Sequence, residues 1–175
     1  IGLGTGALAN DDGSSNGNTA VGYQALYVNT SGPSNTAVGF QALLDNTTGG
    51  NNSAFGVGAL YNNISGSNNV AIGDISLEDN TSSSNNTAVG YGSLSNTTAG
   101  NNTAVGYQAG NSVTTGSNLT IIGYDADASS ATATNEITLG NASVTSLRIP
   151  GLQSAASDGQ VLAFNSTNGN ITLAD

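Results

Sequence analysis

Apolar residues recur along the chain in short runs separated by polar turns, and the runs repeat with a fixed period. Each run ends in a glycine that follows an Ala-Val pair or its equivalent. The sequence separations between successive glycines of this kind are 18, 17, 17, 17, 17, 16, 17 and 17. Nine copies at so regular a spacing predict a repeat architecture. The motif glycines are Gly4, Gly22, Gly39, Gly56, Gly73, Gly90, Gly106, Gly123 and Gly140.

The repeating unit contains two apolar segments and one polar turn. Its clearest copy, residues 18–26, reads Asn-Thr-Ala-Val-Gly-Tyr-Gln-Ala-Leu, and Asn-Thr-Ser-Gly follows at residues 29–32. A pair of helices needs about 30 residues or more per repeat, so a helical solenoid is excluded. Because β-branched and aromatic residues alternate in both segments, Thr-Ala-Val and Tyr-Gln-Ala-Leu each predict a short strand.

These features predict an all-β fold, a parallel β-roll or β-solenoid of about nine 17-residue coils. Successive coils would stack about 4.8 Å apart, which gives a rod section roughly 40 Å long. The period stops near Asn141, and Pro150 cannot donate to a strand ladder. We therefore expect a repeat domain over residues 1–141. Residues 142–175 are expected to form a transition or capping segment, with short strands at 161–164 and 171–173, that leads to a further fibre domain.

Stacking places each residue on its counterpart in the next coil, so the repeat predicts columns of like side chains. Asparagine can form a ladder in which side-chain amides bond along the stack. The candidate ladder is Asn18, Asn35, Asn52, Asn69, Asn86 and Asn102, with a second at Asn29, Asn46, Asn63 and Asn80. The predicted core columns are alanines from Ala20 to Ala104, leucines from Leu8 to Leu94, and an apolar column from Val21 to Leu139. This core is thin for the entropy of ordering a whole coil, which favours oligomerisation.

The amino-acid composition excludes several kinds of catalytic, metal and binding site. The 25 Gly, 25 Asn, 22 Ser and 20 Thr together make 92 of 175 residues, and the net charge is −10. Arg148 is the single basic residue, and Lys, His, Cys, Met and Trp are absent. Without His or Cys there is no Ser-His-Asp triad, thiol nucleophile or ordinary zinc site. Without a basic patch, nucleic-acid binding is not expected. No apolar run reaches the roughly 18 residues of a membrane span. We expect no enzyme activity, no cofactor, no metal and no membrane insertion of this segment.

The unit Asn-Thr-Ala-Val-Gly, and above all Asn-Val-Ala-Ile-Gly at residues 69–73, resembles the head repeat of trimeric autotransporter adhesins of the YadA kind. That family's common repeat is shorter than this one, so the extra residues would lengthen one turn. The longer unit with Tyr-Gln-Ala-Leu, and Gly-Gln-Val-Leu at residues 159–162, look like elements of phage tail-fibre proteins. The resemblance implies a left-handed β-roll in which three chains intertwine about one axis.

The function that this resemblance implies is structural. We expect a homotrimeric shaft or spacer of a phage tail fibre that supports host-cell attachment, located extracellularly on the virion. Other fibre or tail proteins, and a host glycan or protein, are the expected partners. The alternative is the head of a bacterial trimeric autotransporter adhesin, at the cell surface, that binds matrix protein or glycan. An enzyme that acts on polysaccharide is the third hypothesis.

Several sets of residues suggest binding or catalytic sites, and each set also has a purely structural interpretation. Exposed aromatic residues stack on sugars, so a glycan could contact the residues after the motif glycines, although packing at a coil corner or between subunits is favoured.

The acid pairs, such as Glu78/Asp79, are interpreted as solvated turns. Asp125, Asp127 and Glu136 are a weak candidate for a calcium site. A Thr column resembles ice-binding surfaces, but Ser53 and Val70 interrupt it. Sequons at Asn29, Asn46, Asn63 and Asn80 are interpreted as by-products of turn chemistry. The candidate glycan-contact aromatics are Tyr23, Phe40, Tyr91, Tyr107 and Tyr124, and the Thr column is Thr19, Thr36, Thr87, Thr103, Thr120 and Thr138.

Overall fold

The computed structural model describes residues 1–12, 16–146, 161–164 and 171–174. The Pro150 break, Arg148 and residues 159–160 of the Gly-Gln-Val-Leu element lie outside these residues. The chain divides into two compact units, Ile1–Asn141 and Ala142–Asp175. All regular elements are strands, and no helix occurs in the described part of the chain.

The first unit is a parallel β-solenoid of about eight turns, since its nine strands each lie one coil apart. The strands form a single sheet in chain order, and every neighbouring pair is parallel. The strands are β1 (Gly2–Leu3), β2 (Thr19–Val21), β3 (Thr36–Val38), β4 (Ser53–Phe55), β5 (Val70–Ile72), β6 (Thr87–Val89), β7 (Thr103–Val105), β8 (Thr120–Ile122) and β9 (Ile137–Leu139).

The second unit contains an antiparallel pair, β10 (Val161–Phe164) and β11 (Ile171–Ala174). Val161 is opposite Ala174, and Phe164 is opposite Ile171. Strands were expected at both places, and β11 extends one residue beyond the predicted end.

Equivalent residues lie directly above one another in the solenoid. Thr19 pairs with Thr36, Ala20 with Ala37, and Val21 with Val38. The shorter coil between Gly90 and Gly106 keeps this alignment, because Ala88 still pairs with Ala104. The missing residue is taken up in the polar turn, outside the sheet.

The expected second strand per coil is wrong. The Tyr-Gln-Ala-Leu segment forms turns, in which Gln24 and Leu26 have φ of 53° and 51°. Left-handed residues at alternate positions cannot belong to a strand. The backbone still bonds between coils, because Gln24 donates its N–H to Thr5 O and Leu26 donates to Ala42 O. Each coil therefore has one strand of two or three residues and a series of turns that also bonds to the neighbouring coils.

Three buried columns of small and aliphatic side chains make up most of the core, which Val113 and Leu119 join in the later coils. The central strand residue supplies the first, the alanine or serine at the third position after the motif glycine supplies the second, and the leucine next to it supplies the third. The first is Ala20, Ala37, Ala54, Ala71, Ala88, Ala104 and Ile121; the second is Ala25, Ala42, Ala59, Ser76, Ser93, Ala109 and Ala126; the third is Leu26, Leu43, Leu60, Leu77 and Leu94. Leu8, at the N-terminal end of the leucine column, is half-buried.

Candidate functional site

The motif glycines form a column in which no other residue fits. All nine have positive φ, from 79° at Gly140 to 145° at Gly39. A Cβ on Gly73 would lie 2.5 Å from the carbonyl oxygen of Gly90 in the next coil. Both the backbone conformation and the close approach of neighbouring coils therefore require glycine at the turn after each strand.

The predicted ladder from Asn18 to Asn102 is fully buried from Asn35 onward, but its bonding differs from the expected amide-to-amide pattern. Asn35 donates its backbone N–H to Asn18 Oδ1 at 2.8 Å, and Asn52 donates to Asn35 Oδ1 at 2.9 Å. The Nδ2 of Asn35 reaches across the coil to Gly49 O at 2.8 Å. Each asparagine thus links the strand to the next coil and also to the polar turn, which closes the coil.

The second asparagine column is a ladder of side-chain amides. Nδ2 of Asn46 donates to Asn29 Oδ1, and Asn63 and Asn80 repeat this bond at 2.8 Å. Each Nδ2 also donates within its own turn, as Asn63 does to Gly66 O at 3.0 Å. These asparagines are completely buried, so the acceptor side chain of each of these sequons is not exposed.

Different residues end the ladders. At the N-terminal end, Asp11 Oδ2 accepts Nδ2 of both Asn18 and Asn29, a role that suits a carboxylate, which only accepts. After Asn80, the column position passes to Thr97, whose buried Oγ1 has no hydrogen-bond partner in the described structure, and then to the buried Val113. The amide ladder therefore gives way to apolar packing in the later coils.

The column from Val21 to Leu139 is not part of the core, contrary to expectation. Side chains alternate across a strand, and because the central alanine points inward, its two neighbours point outward. Ile72 is 43% exposed and Leu139 is 53% exposed, whereas Ala71 is fully buried. We call this the Val column; its members are Val21, Val38, Phe55, Ile72, Val89, Val105, Ile122 and Leu139.

The residues after the motif glycines form a second exposed column, which we call the aromatic column. Its members are Tyr23, Phe40, Val57, Asp74, Tyr91, Tyr107 and Tyr124. The rings stack on each other, with centroids 5.2 Å apart for Tyr23 and Phe40 and 5.4 Å apart for Tyr91 and Tyr107. Tyr107 and Tyr124 continue the stack at 5.3 Å. A sugar ring stacks on an aromatic face, and these faces largely cover one another, so the column offers mainly ring edges to a ligand.

The Val and aromatic columns lie on either side of the glycine column, and we call the two columns together the apolar face. At their observed exposure these side chains together present on the order of 1,000 Å², since an aromatic side chain carries about 150–250 Å². Monomeric proteins rarely expose patches above roughly 300–600 Å². An exposed apolar area of this size is typical of an interface with another protein.

The Thr column is shorter than expected. Thr138 pairs with Ile121 and therefore belongs to the inward column, while Ile137 pairs with Thr120. The threonine side chains that remain are half-buried beside the Val column. Ser53, Val70 and Ile137 interrupt this column, so it lacks the regular surface that ice binding requires.

The acid pairs lie in turns and bond to their own chain. Asp79 Oδ1 accepts Nδ2 of Asn62 at 2.9 Å, and Asp127 Oδ2 accepts the backbone N–H of Ser112. Burial raises the pKa of Glu78, and the charge of Asp79 raises it further. Hydrogen bonds from the hydroxyl and N–H of Ser129, and from Thr138, lower the pKa of Glu136. No group of three or more acidic, His or Cys side chains that could hold a metal occurs among the described residues.

Sequence reasoning missed a column of left-handed non-glycine residues. Leu26, Leu43, Leu60, Leu77 and Leu94 all have φ near 50°. The signal was present, because glycine takes the leucine position at Gly110 and the glutamine position at Gly58 and Gly92. A column in which glycine replaces a larger residue now and then indicates positive φ throughout.

The part of the chain that the structure describes contains no helix long and apolar enough to cross a membrane. No protein-family model, curated protein or solved structure matches the chain.

Proposed function

We propose that this chain is a self-associating shaft segment of an extracellular fibre, a homotrimeric spacer of a phage tail fibre that supports host-cell attachment. The observation that carries this proposal is the apolar face, which runs along the solenoid and is exposed or half-buried within the first unit. Standard protein interfaces bury about 800 Å² per partner, which is the order of area that the apolar face exposes.

A shaft must resist bending, and the solenoid has the bonds for this. Backbone hydrogen bonds connect each coil to the next from Gly2 to Leu139, both in the strands and in the turns. The two asparagine ladders add buried bonds along the same axis. A break in the rod would require several of these bonds to open together.

Another copy of the same chain suits the apolar face better than an unrelated partner. A surface that repeats about every 4.8 Å matches best a surface with the same repeat. Three copies, with the left-handed roll of the YadA-like heads that the motif resembles, would shield three apolar faces around one axis. The charge of −10 per chain would keep separate fibres apart in solution.

The adhesin head of a bacterial surface protein stays the alternative, because it uses the same kind of assembled roll. Glycan binding along the aromatic column is a weaker part of that alternative. The stacked rings cover one another's faces, and the bound surface would have to use the edges.

Electron microscopy of the purified full chain tests the proposal together with one charged variant. We expect rods with threefold end views for the unchanged chain. Val105→Asp, on the apolar face, should abolish them because it would bury a carboxylate without a partner, whereas the native Asp74 accepts the N–H of Val57 through Oδ1. Thr115→Asp adds the same charge at an exposed turn residue and should leave the rods intact. Equal assembly of both variants would contradict the assignment of the face.

A further inference from the structure

Assembly through a periodic face raises a problem of alignment. Within one chain, connectivity fixes which coil lies on which. Between chains, a shift of one coil, about 4.8 Å, would bring nearly identical side chains into contact. A fibre segment with a defined axial register therefore needs a feature that does not repeat.

The apolar face contains one such feature, in the coils of β4 and β5. In the coils of β2, β3, β6, β7 and β8, a smaller aliphatic residue in the Val column accompanies an aromatic ring, as at Val89 and Tyr91. In the β4 coil the order of size is reversed, with Phe55 in the Val column and Val57 in the aromatic column. In the β5 coil Ile72 accompanies Asp74.

These substitutions form a knob, Phe55 and Ile72, and a notch, Val57 and Asp74, at the same height. Phe55 and Ile72 are 40% and 43% exposed, so both project from the surface. Val57 and Asp74 interrupt the stack of rings that Phe40 and Tyr91 flank. Asp74 Oδ1 accepts the N–H of Val57 at 2.9 Å, which ties this short side chain to the preceding coil. The two residues leave a gap in a column otherwise built of rings.

We propose that Phe55 and Ile72 of one copy of this chain fit into the notch at Val57 and Asp74 of a neighbouring copy and so set the axial register of the assembly. The proposal rests on the self-association proposed above and adds which residues meet: the Val column of one copy packs on the aromatic column of the next. With a one-coil shift, a knob residue would face a ring of Phe40 or Tyr91 instead of the gap.

The size reversal can also be explained within one chain, because Phe55 and Val57 lie on either side of Gly56 and a larger side chain at one position can compensate for a smaller one at the other. Both explanations predict that the two positions are coupled in stability. The two explanations make different predictions about register, because only contact between chains makes the alignment of copies depend on these residues. The test therefore has to read register directly.

Disulfide crosslinking reads register because the chain has no cysteine of its own. One reporter pair lies in the same coil, Val105→Cys with Tyr107→Cys. A matched pair lies one coil apart, Val105→Cys with Tyr91→Cys. We expect covalently linked chains on a non-reducing gel at least about tenfold more from the same-coil pair, since overpacking by one ring disfavours a shifted register to that extent.

Two variants then alter the knob and the notch. Val57→Tyr fills the notch and should reduce same-coil crosslinks about tenfold. Phe55→Val, Val57→Tyr and Asp74→Tyr together convert both coils to the common type, so the oligomer should persist while the two reporter pairs crosslink to similar extents. Circular dichroism of each variant establishes that the roll is folded.

Each outcome decides between the two proposals. If the oligomer persists and the crosslinking ratio is the same in all three backgrounds, the knob and notch do not set the register, and self-association stands. If the chain without substitutions is a monomer in light scattering, self-association itself fails, and the register proposal fails with it.

Discussion

At the scale of single residues, the glycine after each strand has the strictest requirement in the roll. Gly73 has φ of 131°, and the next coil's backbone lies where a side chain would begin. We expect Gly73→Val to destabilise the chain by more than about 3 kcal/mol, because strain and clash add. Thermal unfolding followed by circular dichroism measures this.

Gly58→Gln is the matched control for that substitution. Gly58 has φ of 64°, a Cβ there would lie 3.7 Å from Ile75 Cγ2, and the equivalent position is glutamine in Gln24, Gln41 and Gln108. Its melting temperature should stay near that of the unchanged chain. Comparable losses at both glycines would contradict the assignment of the turn.

The buried amide ladder should contribute measurably to stability. Asn63 donates Nδ2 to Asn46 and accepts from Asn80 through Oδ1, so Asn63→Ala removes bonds on both sides. We expect a loss of about 2–4 kcal/mol, since each lost bond also leaves a buried partner unpaired. Asn62→Ala, one residue away and half-buried, should cost less than about 1 kcal/mol. Denaturant unfolding of both variants tests the difference, and equal losses would refute the ladder's contribution.

Glu78 should make the stability of the roll depend weakly on pH. Because its pKa is raised in the folded chain, the folded state holds the proton more tightly than the unfolded state. The ionised carboxylate is therefore unfavourable to folding above the folded pKa, and this penalty is absent below the ordinary value of 4.5. Glu78→Gln should raise the free energy of unfolding at pH 7 by less than about 1 kcal/mol and leave it unchanged at pH 3. A gain of the same size at both pH values would contradict this assignment.

At the scale of elements, the columns compensate for one another in volume. Ile121 replaces the usual alanine of the central strand position, and Gly110 replaces the usual leucine. A Cβ on Gly110 would lie 2.8 Å from Leu94 Cδ2 and 3.2 Å from Ile121 Cδ1. The isoleucine therefore occupies the space that a leucine takes in the earlier coils.

A double-mutant cycle measures this compensation. Gly110→Leu alone should destabilise by about 1–3 kcal/mol through overpacking, and Ile121→Ala alone by about 2–5 kcal/mol through the cavity it leaves. Together they restore the common coil, so the double variant should be more stable than the sum of single effects by more than about 1 kcal/mol. Additive losses in denaturant unfolding would mean that the two positions do not share space.

The strand of each coil could be predicted from sequence, and the turn path could not. Thr-Ala-Val carries β-branched residues around a small one, and the fixed period places the strands in register. Tyr-Gln-Ala-Leu has the same strand-like composition, but bonds between coils hold Gln24 and Leu26 in left-handed conformations. In the Tyr-Gln-Ala-Leu segment, hydrogen bonds to neighbouring coils therefore determine the local structure, and a local sequence pattern does not predict them.

At the scale of the whole molecule, period and buried columns followed from the sequence, but the direction of the Val column did not. A three-residue strand offers one inward side chain or two, and composition alone does not distinguish the cases. The structure buries the alanine and leaves Val21 and its equivalents half-buried or exposed. This outcome leaves a thinner core than expected and a broader surface available to a partner, so the case for assembly becomes stronger.

Multi-angle light scattering of the full chain in solution is the most direct test of the account. Self-association through the apolar face predicts a particle with three times the chain mass of 17.1 kDa. A mass of 17.1 kDa that persists as the protein concentration is raised would contradict it.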